Sequence, residues 1–241
     1  MNLERKLPEK TKRLFERYLS AMANFYGRIT IDEAFGIIQF QNDASYCLDD
    51  FVAFIADKNQ KCRANTISDD RFVIMTADDV GIDKLGEIEI VARVLSELPD
   101  KYTEIKLAQA CHNRYIPKKA DLLRYASPEY YEETAELRET VDWILSHSRD
   151  DVNDELTFES IAAIIATSLQ KWNAILDPIK QLSQVIDYPK RDNQQLAAAL
   201  ELSNLLVATY NKTRIWHLNG HTPSELSLEA DRYARRMNKA K

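Results

Sequence analysis

The side chains with the greatest chemical potential lie between Tyr210 and Leu226. Asn211, Arg214, Trp216 and His217 place an amide, a guanidinium, an indole and an imidazole close together, a set that could line a polar pocket and form a binding surface. His217 and His221 are four residues apart, a metal-ligand spacing on an unbroken helix. Asn219 and Gly220 interrupt any such helix, and the sequence offers no third ligand nearby. Cys111 and His112 are adjacent, so on a helix their side chains diverge, and no second cysteine follows at zinc-site spacing. The acidic pairs Asp49-Asp50, Asp69-Asp70 and Asp78-Asp79 read as solvated caps and turns rather than cation sites. No G-x-S-x-G elbow is present. Glycine occurs only five times, which excludes the glycine-rich cradles of phosphate-binding enzymes. The expectation is therefore a non-enzymatic protein with no catalytic residue, no metal and no cofactor.

Two basic clusters could meet phosphates: Lys10, Lys12 and Arg13 near the start, and Arg232, Arg235 and Arg236 near the end. The net charge of −6 is unevenly spread. Residues 1–28 carry seven basic and three acidic side chains, whereas residues 29–100 carry six basic and fifteen acidic ones. A polyanion would have to approach that acidic block. The charged N-terminus has no signal-peptide core and no window has the length of a membrane span. Three widely spaced cysteines, Cys47, Cys62 and Cys111, argue against a disulfide framework. A cytoplasmic protein without a membrane partner is expected.

The elements that would position these groups are mostly helical. A first helix from Pro8 to about Tyr26 carries Leu14, Tyr18, Met22 and Phe25 on one face and stops at Gly27. Arg28-Ile29 is short and extended, and Thr30 with Glu33 forms a capping box for a second helix. Ser45 would cap a third, with Leu48, Phe51, Val52 and Ile55 at helical spacing. Ala64 to Thr76 then reads as a hairpin, with Ile67 before a Ser68-Asp69-Asp70-Arg71 turn and Phe72-Val73-Ile74-Met75 after it. That order is the order of a winged helix-turn-helix; a small helical bundle with a stray hairpin is the alternative.

The expected class is mainly α: a winged-helix-like module with one β-hairpin over 1–77, a helical middle region over 78–150 and a C-terminal helical domain over 151–241. In the middle region, helices are expected around Ile88 to Leu98, around Tyr102 to Arg114, and from Ser127-Pro128-Glu129 through Ile144. The acidic stretch from Ser148 to Asp154 reads as a linker. Phe158, Ile161, Ile165, Leu169, Trp172 and Leu176 form one stripe; Leu196, Leu200, Leu206 and Tyr210 form another, and together they imply a helical hairpin. Thr222-Pro223-Ser224-Glu225 opens a short last helix by cap, proline and capping-box glutamate.

The string from Tyr210 to Leu226, with its N-x-T-R-x-W and G-x-T-P-x-E-L skeleton, resembles a stretch in poorly characterised bacterial proteins of the Gram-positive type. Some of those continue into the Cys/His zinc motif also found at the C-terminus of the SecA translocase. That motif is absent here, so the resemblance implies neither a zinc site nor an activity. The sequence is read as that of a regulatory or adaptor protein that binds another protein through helical and winged-helix-like surfaces. A nucleic-acid-binding regulator using the basic terminal segments is the alternative, and a homodimer through the long apolar helices is compatible with both.

Overall fold

The structure, a computed structural model, describes residues 7–43, 46–63, 71–76, 88–149, 157–175, 177–183, 186–187 and 192–239. The chain is mainly helical with a small antiparallel sheet. It divides into two compact units, residues 1–111 with 115–130 and residues 112–114 with 131–241.

The first unit is built on α1 (Glu9–Tyr26), whose last two turns are buried almost all round through Tyr18, Leu19, Met22, Phe25 and Tyr26. Gly27 ends it at φ 77°, a left-handed conformation that glycine adopts without strain, and its N–H reaches the Ala23 carbonyl. The chain then enters β1 (Arg28–Thr30) and α2 (Ile31–Gln41), where Thr30 and Glu33 cap each other reciprocally. Next, α3 (Leu48–Arg63) stacks Phe51 on Phe35 of α2 and sets Phe51 and Phe54 edge-on to Phe15 of α1. Strands β2 (Phe72–Thr76) and β3 (Ile88–Ala92) complete an antiparallel sheet of order β1-β3-β2, with Ile90 opposite both Ile29 and Ile74. Helices α4 (Arg93–Ser96), α5 (Pro99–Gln109) and α6 (Lys119–Arg124) follow.

Several expectations are corrected here. Phe72–Thr76 is a strand as read, but its partner is Ile88–Ala92, which the sequence assigned to a helix. The run Ile88-Glu-Ile-Val-Ala is buried at every position, so its apolar residues show no alternation that would announce a strand. The sheet of the first unit therefore includes residues past 77. The helix expected around Tyr102 to Arg114 instead begins at Pro99, which occupies the first turn of α5, and ends at Gln109. Ser127 caps nothing: the Tyr130 N–H closes a turn on its carbonyl, Tyr130 packs edge-on to Tyr125, and the helix begins only at Ala135, capped by Thr134. Ser45, Ile67, the Ser68-Asp69-Asp70 turn, Asp78-Asp79 and residues 150–154 lie outside the described residues.

The second unit centres on α7 (Ala135–Ser146), which packs against α8 (Phe158–Trp172) on one side and α10 (Asp192–Lys212) on the other. The expected hairpin of α8 on α10 is thus a three-helix arrangement, because α7, read as part of the middle region, supplies Leu137, Val141 and Ile144 to the shared core. The hydroxyls of Thr140 and Thr209 meet at 2.8 Å inside it, and both lie within hydrogen-bond distance of the Glu136 carbonyl, at 2.8 and 3.0 Å, so that one of them donates to that carbonyl and the other to its hydroxyl neighbour. α9 (Asp177–Leu182) adds Leu182, and α11 (Pro223–Lys239) is 17 residues long rather than short. Among the described residues no helix is long and apolar enough to cross a membrane.

One ion pair ties the first unit together. Arg28 and Glu89 lie diagonally on one face of the sheet, with Nε to Oε2 at 2.8 Å and Nη2 to Oε1 at 2.6 Å. Arg28 Nη1 donates to Gln109 Oε1, Tyr102 Oη and Lys106 Nζ donate to the same carboxylate, and Gln109 Nε2 donates to the Tyr26 carbonyl. Burial pushes the Glu89 carboxyl up, but the Arg28 bonds outweigh it and bring its pKa from 4.5 to about 2. Its contribution to stability is therefore full above pH 4.5 and lost as pH falls toward about 2. Replacing Arg28 by Met leaves a buried carboxylate without its main partner and should cost about 3–5 kcal/mol in urea unfolding at pH 7. An Arg28→Met loss below about 1 kcal/mol would show that the pair does not hold the sheet.

Candidate functional site

The string from Asn211 to Glu225 folds as a corner. α10 ends at Lys212, Ile215 leads into a 3-10 turn (Trp216–Leu218), and Asn219 and Gly220 both take left-handed conformations at φ 56° and 82°. The Gly220 N–H returns to the Ile215 carbonyl, and Ile215 N–H bonds to the His221 carbonyl. Thr222 and Glu225 then form the capping box of α11, with Glu225 N–H to Thr222 Oγ1 at 3.2 Å and Thr222 N–H to Glu225 Oε2 at 3.0 Å. The helix interruption read at Asn219-Gly220 is thus a built turn.

Arg214 is the hub of this corner. Its Nη1 and Nη2 engage the two oxygens of Glu225 at 3.0 and 3.2 Å, Nη1 also donates to the Gly220 carbonyl, and Nε faces Glu132 at 3.4 Å. The guanidinium fork is committed internally and offers no free bidentate face to a ligand. Trp216 is wholly buried, meeting Trp172 edge-on at 6.0 Å, and His217 is buried beside it in sequence. Asn211 is half-buried. Asn219 Nδ2 donates to the His112 carbonyl, and His221 Nε2 lies 3.0 Å from the Asn113 carbonyl, so the corner grips the segment 112–114. The sequence showed the cap and the stop but neither Glu132 nor the 112–114 clasp, because partners that far apart leave no periodic trace.

The candidate phosphate contacts belong to both units. Lys10 and Arg13 are exposed on α1, Lys12 pairs with Glu9 at 3.0 Å, and Arg232 is exposed on α11. The side chains of Arg235 and Arg236 lie outside the described residues. On α3 the exposed positions include Leu48, Asp49, Ala53, Ala56 and Asp57. Lys58 turns inward, with Nζ 2.5 Å from Glu16 of α1 and 5.8 Å from the Phe72 ring centroid. Among the described residues no group of His, Cys, Asp and Glu is placed to hold a metal ion. Cys47 and Cys111 are free thiols. Tyr125 is buried edge-on against Phe25, and Tyr130 packs edge-on to Tyr125.

Comparison with family models, with curated proteins and with solved structures gives no match. The reading of this chain consequently rests on its own residues.

Burial pushes the Glu225 carboxyl up, yet the Thr222 N–H and the Arg214 guanidinium together hold it below the usual carboxylate range. A lowered carboxylate stabilises the fold above its ordinary pKa and ceases to do so as pH falls through the folded value. Arg214→Leu should therefore lower unfolding free energy by about 2 kcal/mol at pH 7 and flatten the loss of stability on acidification. Denaturant titrations at pH 7 and pH 4 check both; an Arg214→Leu variant as stable as the parent at pH 7 would release Arg214 for a role at the surface.

Proposed function

We propose that the protein is a non-enzymatic regulatory or adaptor protein that binds another protein through a winged-helix-like unit and adjoining helices. Support for the winged-helix reading comes from the order α1-β1-α2-α3-β2-β3 and from β3 lying between β1 and β2. In a helix-turn-helix of this kind α3 is the element that enters a DNA groove. The observation that carries the choice of a protein partner is the charge on that helix. Its exposed described positions include Asp49 and Asp57 beside Leu48, Ala53 and Ala56, whereas Lys58 is spent on Glu16. Carboxylates repel phosphates, and an acidic face with small apolar side chains suits a protein surface better.

The exposure of Lys10 and Arg13 on α1 favours a second reading, a nucleic-acid-binding regulator. The two readings separate in a mobility-shift assay with duplex DNA between about 50 and 200 mM salt. Weak or absent binding at the upper salt concentration is expected; a tight, salt-steep shift would overturn the protein-partner reading. A double charge reversal, Asp49→Lys with Asp57→Lys, should leave the circular dichroism spectrum unchanged and abolish capture of any protein retained by the immobilised parent chain. Retention of that protein by the reversed variant would remove α3 from the interface.

A further inference from the structure

α10 carries two apolar faces. One holds Ala198, Leu202, Leu206 and Thr209, all buried on the side toward α7. The other holds Leu196, Leu200 and Val207, which are 62%, 57% and 46% exposed. At 3.6 residues per turn these three fall on one arc of about 40°, on the far side of the helix from Leu202. Ser203 borders them half-buried, and its Oγ donates to the Ala199 carbonyl, so its hydroxyl needs no partner from outside. Between Asn193 and Asn211 the one charged residue is Glu201, which lies off that arc. The face that a helix turns to water ordinarily carries charge; an apolar, uncharged strip has the composition of an interface centre.

The spacing on this strip selects its partner. Leu196, Leu200, Ser203 and Val207 step by four, three and four, the ladder by which one helix packs along another. The ladder is symmetric about its midpoint: set against itself end over end, Leu196 meets Val207 and Leu200 meets Ser203, each of them twice. In a parallel pair Ser203 would meet Ser203 and leave a gap between layers of branched side chains. We propose that this face of α10 is closed by the same face of a second copy of the chain, the two helices running antiparallel about a two-fold axis beside Glu201 and Leu202. Leu196, Leu200 and Val207 present on the order of 300 Å² of apolar surface per copy. Pairing removes on the order of 600 Å² from water, about the apolar share of the smallest specific interfaces, which bury about 1,200 Å² in all. The pair is accordingly reversible, with a dissociation constant of about 1–100 μM. This face belongs to the second unit and α3 to the first, so the pairing goes beyond the protein-partner reading and does not rest on it.

The test is sedimentation equilibrium of the intact chain from about 1 to about 200 μM. The mass should rise from that of one 27.8 kDa chain toward twice that value. Leu200→Glu, at an exposed position, should keep the parental circular dichroism spectrum and stay monomeric throughout. Direction is read by mixing two variants: Leu196→Lys and Val207→Glu, each monomeric alone, should dimerise with each other, because antiparallel packing sets position 196 against position 207. A parent chain that is monomeric at every concentration, as it would be were the strip kept for a different protein, overturns the proposal. So does a Leu200→Glu chain that dimerises like the parent, and so does a mixture of the two charged variants that remains monomeric.

Discussion

The buried pairing of Arg28 with Glu89 is the constraint on which the first unit depends. A hydrophobic core is permissive about register, since apolar residues shifted by two positions remain on the same face. A carboxylate inside a sheet is not permissive. Shifting β3 by one residue against β1 would carry Glu89 to the opposite face, away from Arg28, Tyr102 and Lys106, and would leave charges stranded in a medium that solvates them poorly. The pair therefore selects one arrangement from among several that bury similar apolar area. Gln109 extends the same logic to α1, because its amide bridges Arg28 to the Tyr26 carbonyl. Through five polar side chains, β1, β3, α5 and the end of α1 are placed relative to one another.

The second unit solves its placement differently. Its three-helix core is joined by a neutral contact, Thr140 to Thr209, and a cluster of ion pairs lies at the corner after α10. There Arg214 closes a loop of eleven residues onto Glu225 while also holding the Gly220 carbonyl, so the left-handed turn and the start of α11 are fixed by one side chain. The direction of α11 then follows from its cap, not from its apolar content.

What could be read from the sequence was local. The Thr30/Glu33 and Thr222/Glu225 capping boxes, the stop at Gly27 and the α8 stripe from Phe158 to Trp172 all depend on neighbours within four residues, and the structure contains each of them, whereas Leu176 lies outside the described residues. On α10 the expected stripe is corrected: Leu206 and Tyr210 pack on the core, but Leu196 and Leu200 are exposed and Ala198 and Leu202 take the buried face. What could not be read was decided by distant partners. β3 has no alternating pattern because both of its faces are covered, and α7 joins the C-terminal helices through a stripe equally suited to the middle region. Ser127-Pro128 has the composition of a helix start but lost to the turn that brings Tyr130 onto Tyr125. At the candidate site the residues were legible and their availability was not: Arg214 and Trp216 are binding types on paper, yet one is engaged by carboxylates and the other is enclosed.

The same distinction governs charge. A sequence map counts Lys58 with the cations that could face a phosphate backbone, but Glu16 on the preceding helix offers a partner at short range and Phe72 a ring to lie across, so the side chain folds inward. Asp49 and Asp57 remain on the exposed face of the helix. Packing thus exports negative charge and imports positive charge on α3, making the described surface of that helix more acidic than its composition. The exposed described positions of α3 are accordingly two carboxylates, Asp49 and Asp57, beside the apolar Leu48, Ala53 and Ala56.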